Sequence, residues 1–103
     1  MNPYRSHLCN EIRPGDVGKT VRLSGWIHNK RDHGGVLFLD LRDHYGITQL
    51  VSNPGTDFHT EIAHLPKETV ITAEGEVVTR SEDTVNTRLD TGEVEVIIAS
   101  FEI

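Results

Sequence analysis

Hydrophobic and polar residues alternate along most of this chain, and the alternation predicts strands. Over residues 20–30, Val21, Leu23, Gly25 and Ile27 fall on one side and Arg22, Ser24, Trp26 and His28 on the other. A period of two marks a strand with one buried face, and Gly25 within it predicts a bulge or a tight bend. Residues 32–35, Asp-His-Gly-Gly, read as a turn. Over 36–42, Leu37, Leu39 and Leu41 share one face while Phe38 and Asp40 point the other way. Residues 43–46 turn the chain into a third strand over 47–52. Asn53-Pro54-Gly55 then interrupts the pattern, and Phe58, Ile62 and Leu65 recur at i, i+4 and i+7. That spacing predicts a short amphipathic helix closed by Pro66. A fourth strand follows over 69–80, bent at Gly75, then a polar loop over 81–92. The fifth strand covers 93–100, with Val94, Val96 and Ile98 inward. Residues 1–18 are a lead-in segment with a helical turn over 9–12 and a turn at Arg13-Pro14-Gly15-Asp16.

Three strands, a helix and two more strands predict an all-β fold: a five-stranded Greek-key barrel of the OB type, with its helix between the third and fourth strands. Such barrels bind oligonucleotides or oligosaccharides on the face of the second and third strands and the loops beside it. The fold alone leaves the ligand open.

Composition narrows the class. The 103 residues make one domain over 1–103, and 36% hydrophobic with 25% charged residues fit a soluble globule rather than a disordered tail. No apolar run reaches the roughly 20 residues of a membrane span. The opening MNPYRSHLCN lacks an apolar signal core. A cytoplasmic protein with no membrane partner is the expectation, and the lone Cys9 agrees with a reducing compartment as a small buried apolar residue. The net charge of −6 argues against generic nucleic-acid binding, which scales with phosphates neutralised. The charge is unevenly placed, however. Lys19, Arg22, Lys30, Arg31 and Arg42 crowd the first half, against Asp32 and Asp40, while residues 82–102 are mainly acidic.

The outward side chains supply candidate chemistry. An exposed Phe38 on strand two is a stacking platform, a contact that contributes about 1–3 kcal/mol per base. Gln49, brought near by the 43–46 turn, offers a donor and an acceptor side by side for a base edge. Arg31, at the end of strand one, serves a base edge or a phosphate. Glu95 alternates with Val94 and Val96, leaves the core face and favours base amino groups over phosphate. Each has an ordinary alternative: a satellite core Phe, a solvent-facing Gln, a surface Arg–Asp pair of under about 1 kcal/mol. Together they favour single-stranded nucleic acid over sugar. His28 and His33 lack partners at metal-site spacing, no catalytic or phosphate-loop motif is present, and Asp32, Asp40 and Asp43 fit turn and surface roles.

The run GWIHNKRDHGGVLFLDLRDHYGITQLV closely resembles the barrel core of bacterial aspartyl-tRNA synthetases, and YRSHLCNEIRPGDVGKTVRLSGW and VNTRLDTGEVEV look like the same family. The resemblance covers nearly the whole chain. It implies an N-terminal domain that unwinds an anticodon loop and reads its bases. Phe38 would stack on the middle base and Gln49 bond its edge. Arg31 and Glu95 would flank the first base, and Arg80 and Asn86 would reach the third. Lys30, in the basic first half, is expected to meet the phosphate backbone. Where many members carry Leu and Asn, this chain has His33 and Thr84, which implies relaxed choice between tRNA(Asp) and tRNA(Asn). The full enzyme would be a class II, homodimeric aspartate–tRNA ligase using ATP and Mg2+ in a catalytic domain absent from these 103 residues. The fragment would bind RNA without catalysis, metal or cofactor. Alternatives are a stand-alone single-strand-binding module, the equivalent domain of an asparaginyl- or lysyl-tRNA synthetase, or a protein-docking domain.

Overall fold

The computed structural model describes residues 6, 7, 9, 11–80, 85–87, 89 and 91–103. Among the described residues a 3-10 turn, Pro14–Asp16, precedes five strands and one helix: β1 Thr20–His33, β2 Val36–Arg42, β3 Ile47–Ser52, α1 His59–His64, β4 Val70–Thr79 and β5 Val94–Glu102. The strands close into a barrel in the order β1-β2-β3-β5-β4, with β1 pairing to β4. The β3–β5 contact is parallel and the other four are antiparallel. This is the expected OB barrel, with its helix between β3 and β4.

Period-two patterning produces the core directly. Val21, Leu23, Ile27, Leu37, Leu39 and Leu41 are buried, and Val94, Val96 and Ile98 meet them from β5. Ile62 of α1 joins the same cluster, with Phe58 and Leu65 packed partly against it, which is the face predicted by their spacing. Cys9 is buried, as expected of a small apolar residue. Its N–H donates to Asp43 Oδ2 at 2.9 Å, and its carbonyl accepts from Thr48 Oγ1. Of the helical turn expected over 9–12, Cys9 lies in a turn, Glu11 and Ile12 are irregular, and Asn10 lies outside the described residues; a 3-10 turn forms at Pro14–Asp16, where Pro14 presets φ and the Asp16 carboxylate accepts from the Arg13 N–H.

Two glycines make closure possible. A Cβ at Gly25 would lie 2.3 Å from the Arg42 carbonyl oxygen, and one at Gly75 would lie 2.0 Å from that of Ile97. Both are places where one strand backbone crosses another too closely for any side chain. β1 therefore serves two neighbours. Its residues Thr20–Trp26 pair with β4, and from Trp26 to His33 it pairs with β2. β1 is longer than its alternation predicts because Arg31, Asp32 and His33 continue the ladder. The reversal narrows to Gly34 and Gly35, at φ 64° and 96°.

Candidate nucleic-acid interface

The register of β1, β2 and β3 gathers the predicted residues on one outer face. Arg31 lies opposite Phe38, and Asp40 lies opposite Gln49. Phe38 is half-buried and stands outside the main core cluster. Its ring meets the His33 imidazole edge to face at 5.3 Å between centroids. A cavity of about 250 Å³ is lined by Arg31, His33, Phe38, Arg80 and Asn86. The last two lie between β4 and β5 in the chain.

Gln49 adjoins this cavity and is only 4% exposed. That corrects the solvent-facing alternative: β3 lies between β2 and β5, and its outer face is covered as well as its inner one. The Gln49 Oε1 accepts from Arg31 Nη2 at 2.9 Å, and its Nε2 donates to Glu95 Oε1 at 2.8 Å. Arg31 is gripped in turn by Asp40 through two bonds, Nη1 to Oδ2 at 2.8 Å and Nη2 to Oδ1 at 3.3 Å. The Asp40 carboxylate raises the Arg31 pKa above the ordinary guanidinium value, against the opposing pull of burial. Asp40 is thus more than the surface residue the sequence suggested. Its place beside Phe38 in the β2 alternation was the available signal.

Arg80 is buried, and its Nε donates to the Val94 carbonyl at 2.9 Å. Burial lowers its pKa, while the carboxylates of Glu95 and Asp40 raise it and Arg31 lowers it further. Two carboxylates and two guanidiniums therefore share this face, so the acidic chain carries no net charge among these four groups. Asn86 is held by its backbone, its N–H donating to the Gly92 carbonyl at 2.9 Å. A Cβ at Gly92 would meet the Asn86 carbonyl oxygen at 1.6 Å, so only glycine allows this loop to fold back. That residue was missed in the sequence. Thr84 lies outside the described residues.

Lys30 is placed differently from the rest. Its Nζ donates to the carbonyls of Ala63 (2.8 Å) and Leu65 (2.5 Å) at the end of α1. Asp32 and Asp43 take the turn roles expected of them: Asp32 accepts from the Gly35 N–H, and Asp43 from the N–H groups of Tyr45 and Gly46. Among the described residues no group of three or more His, Cys, Asp or Glu side chains could hold a metal ion, and no helix is long and apolar enough to cross a membrane. A half-buried aromatic face beside fixed donors and acceptors is chemically suited to a base turned out of a single strand.

Residues 21–103 match the tRNA anti-codon family, described as an OB-fold nucleic acid binding domain. The chain belongs to that family. As an OB-fold nucleic acid binding domain it is 55% identical over all 103 residues to the aspartate–tRNA ligase of Streptomyces coelicolor. It is 53% identical over the same length to the aspartate–tRNA(Asp/Asn) ligase of Phenylobacterium zucineum. The chain spans 18% and 17% of those two proteins. Among solved structures it resembles the asparaginyl-tRNA synthetase of Pyrococcus horikoshii complexed with asparaginyl-adenylate. There the TM-score is 0.78 at 30% identity, covering 94% of this chain and 21% of that one.

Proposed function

We propose that this domain reads the anticodon loop of an aspartate-accepting tRNA as the N-terminal part of an aspartate–tRNA ligase. The observation that carries the reading is the convergence of Arg31, His33, Phe38, Arg80 and Asn86 on one cavity, with Gln49 and Glu95 bonded beside it. Phe38 stacks on the middle base and Gln49 bonds its edge. Arg31 and Glu95 act at the first base, and Arg80 and Asn86 at the third. Lys30 spends two of its three N–H donors on α1, and the third serves a phosphate. His33 and Thr84 set the choice between tRNA(Asp) and tRNA(Asn), and His33 allows both. The whole ligase is a cytoplasmic homodimer. It activates aspartate with ATP and Mg2+ in its own catalytic domain and transfers it to the tRNA. No chemical step is assigned to these 103 residues.

The test is a fluorescence titration of the 103-residue domain against three ligands: the anticodon stem-loop, the same loop with its middle base changed, and poly(dT). The reading expects the first to bind best. Equal affinity for all three would favour a generic single-strand binder, and no binding would favour a protein-docking role. The domain alone is expected to show no aspartate-dependent exchange of pyrophosphate into ATP.

A further inference from the structure

Four polar side chains from four strands form one continuous chain across the barrel's outer face: Asp40 of β2, Arg31 of β1, Gln49 of β3 and Glu95 of β5. The Gln49 amide sits in the middle, and its two ends are not equivalent. A guanidinium can only donate and a carboxylate can only accept. With Oε1 on Arg31 and Nε2 on Glu95, both contacts are satisfied. A flipped amide would set its carbonyl against the Glu95 carboxylate and its NH2 against Arg31, two repulsive contacts in a nearly buried position. The amide therefore presents its second lone pair and its second N–H in one fixed order.

That order holds only while Arg31 stays in place. Its side chain is 37% exposed and long, and the bidentate grip of Asp40, itself 18% exposed, fixes the planar fork. Three of the five Arg31 donors are used in the network, which leaves others for a ligand. In the proposed reading one spare Arg31 donor reaches the middle base while the other serves the first, so from Arg31 into Gln49 the face offers donor, acceptor, donor. A uracil edge offers acceptor, donor, acceptor. A cytosine edge offers donor, acceptor, acceptor and fails to match this order.

We propose that Asp40 is a positioning residue for middle-base discrimination: it never touches RNA, and by gripping Arg31 it locks the polarity of the Gln49 amide. The proposal rests on the anticodon reading above. Without Asp40, Arg31 turns toward solvent or phosphate and Gln49 loses the donor on its oxygen. The face also loses a negative charge. Overall RNA affinity therefore holds or rises while selectivity falls. A merely structural role would lower affinity for every sequence alike.

The test uses Asp40→Ala and Asp40→Asn in the 103-residue domain. Gln49 is the sole glutamine of the sequence, so its side-chain amide gives one assignable pair of NMR signals. Asp40→Ala is expected to shift that pair in the free protein. It should reduce the preference for a uracil-centred over a cytosine-centred stem-loop by about ten-fold, with affinity for the cytosine loop unchanged or higher. Asp40→Asn, which keeps one acceptor for Arg31, should retain part of the preference. Adding Asp40→Ala to Arg31→Ala should cost no further discrimination. If Asp40→Ala keeps the full preference while Gln49→Ala abolishes it, or if the Gln49 signals do not move, the proposal falls alone. If the unmodified domain binds neither loop, the anticodon reading falls and takes the proposal with it.

Discussion

The imidazole of His33 meets the ring of Phe38 edge to face, with centroids 5.3 Å apart and planes at 83°. A T-shaped pair of this kind contributes about 0.5–1.5 kcal/mol beyond area burial. The residue that ends β1 thus supports the aromatic platform of β2. In the proposed reading, the position that selects one anticodon base and the platform that stacks another act as a unit.

Phe38→Ala should weaken binding of the anticodon stem-loop by about 1–3 kcal/mol, with little change in salt dependence, because stacking neutralises no phosphate. Since the ring lies outside the core, the stability loss should stay well below the roughly 3–5 kcal/mol of a core Phe→Ala change. A melting curve beside the titration checks both, and a core-sized loss would contradict the stacking role.

His33→Leu should narrow tRNA choice. Cytosine presents an amino donor where uracil presents a carbonyl acceptor. A neutral imidazole accepts at one nitrogen and donates at the other, so it suits either. Leucine suits neither by hydrogen bonding and acts only through fit. The full-length ligase should charge both tRNA(Asp) and tRNA(Asn), and the Leu variant should shift toward tRNA(Asp). A parent enzyme that rejects tRNA(Asn) by about several hundred-fold, roughly 3–4 kcal/mol, would refute this role for His33, as would an unchanged preference in the variant.

Lys30→Ala should have two separable effects. Removing the ammonium strips the terminal carbonyls of α1 of their donor, which should lower stability by about 0.3–1 kcal/mol. Losing a phosphate contact should weaken all RNA sequences about equally and reduce the salt slope by about 1. Lower stability with an unchanged slope would assign Lys30 to the helix alone.

Gly25→Ala and Gly75→Ala should each destabilise the barrel by at least about 2 kcal/mol, about 10 °C in Tm for a chain of this size. The new methyl group collides with backbone that is itself part of the ladder. Gly15→Ala is the control, since a Cβ there meets nothing within 4 Å, and its melting temperature should barely move. Similar Tm values for all three would show that the crossings relax.

Much of the fold was legible because strand patterning is local. The bounds of β2 and β3 and the inward leucines follow from a period of two, and α1 follows from the spacing of Phe58, Ile62 and Leu65. Phe38 and Asp40 were placed on the outer face by the same alternation. The candidate site was legible in membership more than in arrangement. Arg31, His33, Phe38, Arg80 and Asn86 do line one cavity. The partners of Gln49 and the placement of Lys30 on α1 were not readable, because they depend on which elements lie side by side.

The sequence by itself determined β2, β3 and the bends at Gly25 and Gly75, since those depend on residues within a few positions of one another and on the absent side chain of glycine, whereas the extension of β1 to His33 comes from its pairing with β2. Tertiary structure alone decided that β3 runs parallel to β5, which sets Gln49 beside Glu95 and covers it from solvent. It alone turned Asp40 from a surface acid into the anchor of Arg31. Hydrogen-bonding direction fixes the polarity of an amide only when donor and acceptor stand at fixed places on either side. Barrel closure brings those places together from four strands.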